Sequence, residues 1–108
     1  SQAAFNGSTT GHAHYAASKS GVVTFTISLS REIASMGVNV NAMAIGMMNS
    51  SMTKKAIEKN GEYYLNRIPI GKIAEPSDLT PMAVFLVSDA SNYYTGATFD
   101  VSGGMITR

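Results

Sequence analysis

The longest regular pattern of apolar and polar positions lies between residues 13 and 36. No proline interrupts this segment, and a glycine at position 37 follows it as a C-terminal stop signal. Its large apolar residues recur at mixed three- and four-residue spacings: Val22, Phe25, Ile27, Leu29 and Ile33. The pattern predicts one long α-helix. Because Ser and Thr are weak helix formers and are frequent here, we expect packing against other elements to stabilise it.

Two short apolar runs predict β-strands. The run from Val38 to Ile45 follows the helix stop directly, as in a buried parallel strand, and the run from Ala97 to Val101 ends at a pair of glycines. Surface helices are predicted from Ser50 to about Leu65, and a further helix from Glu75 to about Ser88. Pro81 lies inside this last helix, so we expect a kink or a late start there.

The predicted elements give an α/β fold class. A parallel strand pair needs further strands to cover both of its faces, so the sequence has the appearance of half a domain. The segment from Ser1 to His14 is rich in small and polar residues and is predicted to be a loop near a functional site.

Composition narrows the possible functions. The 108 residues fit one small domain, and 44% hydrophobic residues are sufficient for a core. No apolar run reaches the roughly 20 residues of a membrane span, and no secretion signal is visible, so the cytoplasm is the expected compartment. A net charge of +1 without a basic cluster argues against nucleic-acid and membrane partners. Cysteine is absent, which excludes disulfides and thiolate metal sites.

Candidate chemistry begins at Tyr15 and Lys19. Four residues apart on a helix, the phenol and the ammonium lie on the same face one turn apart, and the positive charge favours the phenolate form. Such a pair suits acid–base catalysis, although the same spacing is common on helices without any function. His12 and His14 flank the helix start; because no further ligands lie nearby, no metal site is expected, and a surface or substrate-side role is favoured.

The wider context of this pair is more specific. Ser20-Gly21-Val22 follows it, and the later segments Asn39-Val40-Asn41-Ala42, Ile68-Pro69-Ile70-Gly71-Lys72 and Val101-Ser102-Gly103-Gly104 come in a characteristic order. In that order and spacing the whole chain resembles the short-chain dehydrogenase/reductase family. The resemblance implies that residues 1–108 form the C-terminal half of a doubly wound, parallel-sheet Rossmann domain. It also implies hydride transfer between NAD or NADP and a small carbonyl or secondary-alcohol substrate.

The resemblance assigns catalytic roles to three residues. Tyr15 is implied to be the general acid/base, and Lys19 to activate it and hold the nicotinamide ribose. The family places a serine about thirteen residues before the tyrosine. Gln2 stands at that distance, so a match to Ser1 requires one extra residue in the loop. Ser1 is favoured as the residue whose hydroxyl steadies the substrate oxygen, and Ser8 remains the alternative.

Further residues follow the first predicted strand. By the same resemblance, Gly46, Met48 and Ser50 contact the nicotinamide carboxamide side of the cofactor. Ile45 stands where the family usually has proline, which puts the rigidity of this turn in doubt. Met47 and Met52, in a segment corresponding to a mobile substrate lid, are expected substrate contacts.

The family's Gly-rich pyrophosphate turn and its Asn-Asn-Ala-Gly segment are absent from these 108 residues. The chain is therefore expected to be a fragment or one of two separate chains. Two functional hypotheses follow: the catalytic half of a dehydrogenase, or a truncated, non-catalytic module that only oligomerises. The long helix resembles the family's intersubunit helix, so a dimer or tetramer is expected for the full protein.

Overall fold

The structure, a computed structural model, describes residues 1–8 and 10–108. Two short 3₁₀ turns, Ala34–Met36 and Asp89–Ser91, supplement the regular elements. These elements are, in chain order, α1 (Ala3–Asn6), α2 (Ala13–Ile33), β1 (Ala42–Ile45), α3 (Lys54–Leu65), α4 (Pro76–Leu86) and β2 (Thr98–Val101).

The two strands form a parallel pair. Ala42 lies opposite Thr98 and Ile45 opposite Val101, with α3 and α4 in the connection between the strands. Parallel strands need such a long crossover, because a tight turn cannot return the chain in the same direction. The predicted α/β class with a parallel sheet is confirmed.

Helix α2 confirms the long helix that the apolar spacing predicts. It runs into the 3₁₀ turn and ends at Gly37, whose φ of 77° is the left-handed conformation that glycine tolerates. Thr26 and Ser30 are buried inside it, and their hydroxyls donate to the carbonyl oxygens of Val22 and Ile27 at 2.8 Å. These bonds satisfy polar groups that burial would otherwise penalise.

The first strand is shorter than predicted, because residues 38–41 make no strand pairing. Asparagine side chains redirect the backbone there. The Asn39 amide donates to the carbonyl oxygens of Ser91 and Asn92, and Asn41 both donates to Tyr94 O and accepts from the N–H of Ala97. The ladder therefore begins only at residue 42. Asparagine is also depleted in β-strands in general.

The N-terminal prediction of a loop was partly wrong. Helix α1 occupies four residues of it and packs on α2, where the Ser20 hydroxyl donates to Ala4 O at 2.6 Å. The remaining described residues before α2 are irregular.

Helix α4 neither starts late nor breaks at Pro81. It begins at Pro76 behind a reciprocal capping box between Glu75 and Asp78. Pro81 cannot donate to the carbonyl of Ser77, and the Thr80 hydroxyl donates to that oxygen instead, at 3.2 Å. Helix α3 begins four residues later than predicted and contains a non-helical residue, Asn60.

Buried apolar residues and a hydrogen bond to the turn after β2 hold these elements together. Ala44 in β1 and Ile68 after α3 are 3% and 4% exposed. Ile70 N–H donates to Gly103 O, which ties the segment after α3 to the turn after β2. In the described part of the chain, no helix has both the length and the apolarity to cross a lipid bilayer.

Candidate active site

Tyr15 and Lys19 lie together in the first turns of α2. The Lys19 ammonium is 5.3 Å from the centre of the Tyr15 ring, and both side chains are half-buried. The placement on one helix face follows from the four-residue spacing. A cation at this distance is attracted to the face of the aromatic ring.

Ser1 is connected to the end of β1 through its neighbour. The N–H of Gln2 donates to Ile45 O at 3.1 Å, and the Ser1 hydroxyl oxygen accepts from the N–H of Ala3 at 3.2 Å. Ser1 itself is half-buried.

A cleft of about 670 Å³ connects these residues to α3. Tyr15, Met52, and both serine candidates, Ser1 and Ser8, line it. The volume is in the range of small-molecule sites. The structure thus brings the predicted acid/base, one predicted substrate contact and both hydroxyl candidates to one cavity, and the choice between the serines stays open.

The predicted cofactor contacts after β1 do not line this cleft. The backbone of Ser102 lies so close to Gly46 that a Cβ there would be 2.9 Å from its Cα, which gives this glycine a packing role between the strand ends. Met48 makes a parallel bridge with Ala74, and the Ser50 hydroxyl lies 3.1 Å from that of Thr53 at the start of α3.

Met47 is separated from Met52. It lines a smaller cleft of about 220 Å³ beside the end of β2, together with Val101 and the ion-paired residues Lys72 and Asp78. Met52, in contrast, is 77% exposed and faces the larger cleft. The two predicted substrate methionines therefore belong to different cavities.

Some cleft residues were missed from the sequence. Tyr63 and Tyr64 lie in the last turn of α3, Arg67 lies two residues after it, and Met105 lies after β2. Tyr63 and Arg67 are four residues apart, and this spacing is the sequence signal that could have indicated a contact between them.

Gln2, thirteen residues before Tyr15, also lines the cleft. Its side-chain oxygen is buried without a hydrogen-bond partner among the described residues.

The two histidines lie close together at the start of α2. Their rings are 6.2 Å apart between centres, and His12 Nδ1 lies 3.0 Å from the Thr10 hydroxyl. The residues that the structure describes contain no group of three His, Cys, Asp or Glu able to hold a metal ion. His12 lines the cleft.

Comparison with known proteins places this arrangement in a family. The family described as Enoyl-(Acyl carrier protein) reductase matches residues 1–106. The 3-oxoacyl-[acyl-carrier-protein] reductase FabG of Rickettsia felis is 45% identical over 96 residues, which are 89% of this chain and 40% of that protein. The chain thus spans about 40% of the length of the curated relatives it matches.

Solved structures agree with this placement. A short-chain dehydrogenase/reductase of the glucose/ribitol dehydrogenase type from Brucella melitensis superimposes with a TM-score of 0.92 at 31% identity, over 98% of this chain and 42% of that one. A 3-oxoacyl-[acyl-carrier protein] reductase from the same organism, with bound NAD, gives a TM-score of 0.78 at 34% identity, over 88% of this chain and 34% of its own.

Proposed function

The chain belongs to the short-chain dehydrogenase/reductase family, and we propose that the protein carrying it transfers a hydride between a nicotinamide cofactor and a carbonyl or secondary-alcohol substrate. The observation that carries this proposal is the half-buried Tyr15–Lys19 pair, 5.3 Å from ammonium to ring centre, at the edge of a cleft of small-molecule size.

Tyr15 is the proposed general acid/base. Its hydroxyl donates a proton to the substrate carbonyl oxygen during reduction and accepts the alcohol proton in the reverse direction. Lys19 stabilises the phenolate that forms after proton donation, because its positive charge lies one helical turn away. Ser1 supplies a hydrogen bond to the same substrate oxygen, with Ser8 as the alternative donor.

The proposed cofactor is NAD or NADP, which supplies or accepts the hydride when bound. Lys19 is suited to hold such a cofactor. Among the described residues it has no carboxylate partner, so its ammonium is available to the ribose hydroxyls. Gly46, Met48 and Ser50 follow β1 and are the proposed contacts on the carboxamide side. The NAD bound in the Brucella melitensis reductase supports a nicotinamide cofactor.

Residues 1–108 are proposed to supply the catalytic and substrate side of a Rossmann domain in a cytoplasmic homo-oligomer. The alternative is a non-catalytic, oligomerising module. The apolar face of α2, where Val22 and Phe25 are exposed, favours oligomerisation under either hypothesis.

A Tyr15→Phe substitution tests the catalytic assignment. It should be made in the longest natural polypeptide that contains these residues. Removing the general acid is expected to lower kcat for carbonyl reduction by about 10²- to 10⁴-fold. Cofactor binding, measured by calorimetry, should change little, because the phenyl ring keeps its place beside Lys19.

Tyr93→Phe is the matched control, since Tyr93 is fully exposed and lies outside the cleft lining. Tyr93→Phe should leave both kcat and cofactor binding unchanged. If Tyr15→Phe reduces carbonyls as fast as the parent protein, Tyr15 is not the acid. If the parent protein neither binds a nicotinamide cofactor nor reduces any carbonyl, the non-catalytic alternative is supported.

A further inference from the structure

We propose that the cleft beside Tyr15 selects substrates that carry an anionic group, a carboxylate or a phosphate, and that Arg67 binds this group. This inference rests on the proposed function for the reacting carbonyl, but it concerns a different part of the cavity. Arg67 lines the cleft that also contains Tyr15 and Ser1.

The backbone that carries Arg67 is held firmly. Its N–H donates to Tyr64 O at 3.0 Å, and the next residue, Ile68, is 4% exposed within the core. Two residues further, Ile70 is hydrogen-bonded to Gly103 O. The exposed Arg67 side chain therefore extends from a hydrogen-bonded turn directly after α3.

Tyr63 orients the guanidinium itself. Arg67 Nη1 donates to the Tyr63 hydroxyl at 2.6 Å, and Arg67 Cζ lies 5.4 Å from the centre of that ring. This bond uses one of five N–H donors. The remaining donors suffice for a two-point contact with a carboxylate or phosphate, and holding the side chain in advance reduces the entropy lost on binding.

The charge balance of the cleft favours an anion. None of the described residues that line it is Asp or Glu, so Arg67 has no counterion there. In the described part of the chain, the ion pairs join Lys72 to Asp78 and Arg108 to Asp100, both outside the cleft lining. A negatively charged ligand group would supply the missing partner.

The volume of the cleft is in the range of small-molecule sites. About 670 Å³ accommodates a compound whose carbonyl reaches Tyr15 while its anionic end reaches Arg67. Met52 and Tyr64 provide apolar walls between the polar residues. A keto acid or a keto phosphate fits this combination.

Paired anionic and neutral probes test the proposal. The probes are acetoacetate against methyl acetoacetate, and dihydroxyacetone phosphate against dihydroxyacetone, measured by calorimetry with the longest natural polypeptide containing this chain. The protein is expected to bind at least one anion more tightly than its neutral counterpart. Arg67→Gln should weaken binding of that anion by about 10- to 100-fold, as expected for loss of a charged hydrogen-bond pair, and leave the neutral probe unchanged.

Lys55→Gln is the matched control, because it removes one positive charge from an exposed position of α3 outside the cleft. It should leave the binding of every probe unchanged. The probe that loses affinity in Arg67→Gln identifies the anion as carboxylate or phosphate.

The proposal is overturned if the protein favours neither anion, or if Arg67→Gln and Lys55→Gln weaken binding equally. Binding is measured without turnover, so failure of hydride transfer is distinguishable from failure of this proposal. In the Tyr15→Phe protein the preference for the anion should persist while reduction is lost.

Discussion

Ser1 and Ser8 both line the cleft with Tyr15, but their surroundings differ. Ser1 is half-buried and accepts a hydrogen bond from the N–H of Ala3, which leaves its proton free to donate. Ser8 is exposed, and its hydroxyl lies within 3.5 Å of the Thr10 hydroxyl. Only the first arrangement points to a steady donor for a substrate oxygen.

Ser1→Ala is therefore expected to lower kcat/KM for carbonyl reduction by about 10²-fold, the usual effect of removing one donor to a developing oxyanion. Ser8→Ala should leave kcat/KM nearly unchanged. Steady-state kinetics on both variants, in the longest natural polypeptide, checks the assignment. The reverse order of effects would make Ser8 the catalytic hydroxyl.

At the scale of single residues, the sequence predicts a contact best where the spacing along one helix determines it. Tyr15 and Lys19 share a helix face because of their spacing alone. Arg67 reaches the same cleft only through the path of the chain after α3, which no local pattern encodes. Met47 and Met52 are five residues apart, yet they line different cavities for the same reason.

Helix α4 depends on a short set of polar contacts at its N-terminus. Asp78 accepts hydrogen bonds from the Glu75 N–H at 2.9 Å and from Lys72 Nζ at 2.8 Å. The Lys72 hydrogen bond, followed by the Glu75 bond, lowers the pKa of Asp78 below its ordinary value of 3.8. A carboxylate near a helix N-terminus is also favoured by the helix dipole.

Because this pKa is lowered on folding, the contribution of Asp78 to stability is present above about pH 3.8 and is lost as the pH falls through the folded-state value. Asp78→Asn should lower Tm at neutral pH. The difference in Tm from the parent protein should shrink on acidification below that value. Thermal unfolding at pH 7 and pH 3, monitored by circular dichroism, measures this difference in Tm.

Lys72→Gln is the partner variant. It should reproduce part of the Tm loss at pH 7, because it removes the largest cause of the lowered pKa of Asp78. The combined variant should lose less than the sum of the two. An equal difference in Tm at both pH values would show that the Asp78 charge does not stabilise the helix.

A helix or strand could be predicted from the sequence where one apolar periodicity continues along its whole length. Helix α2 has no internal proline and a glycine stop, and its end was predicted closely. Strand β1 was predicted four residues too long, because apolar content alone does not reveal that Asn39 and Asn41 bond to the loop before β2. Helix α4 tolerates Pro81 through the Thr80 hydroxyl, a contact visible only in three dimensions.

Across the whole molecule, large apolar side chains remain uncovered on the helices. Val22 and Phe25 on α2 are 53% and 64% exposed, and Val87 at the end of α4 is 86% exposed. The residues on α2 are three positions apart, so they form part of one helix face. Such a face is typical of an interface with another protein surface.

Phe25→Glu tests whether α2 joins copies of the protein. A carboxylate in an apolar interface loses its hydration without gaining a partner, which costs several kcal/mol and should dissociate the oligomer. Size-exclusion chromatography with light scattering on the longest natural polypeptide should show a lower mass than for the parent protein. Lys55→Glu places a carboxylate at an exposed, already charged position of α3 and should leave the mass unchanged. An unchanged mass for Phe25→Glu would mean that the exposed face of α2 is not the oligomer interface.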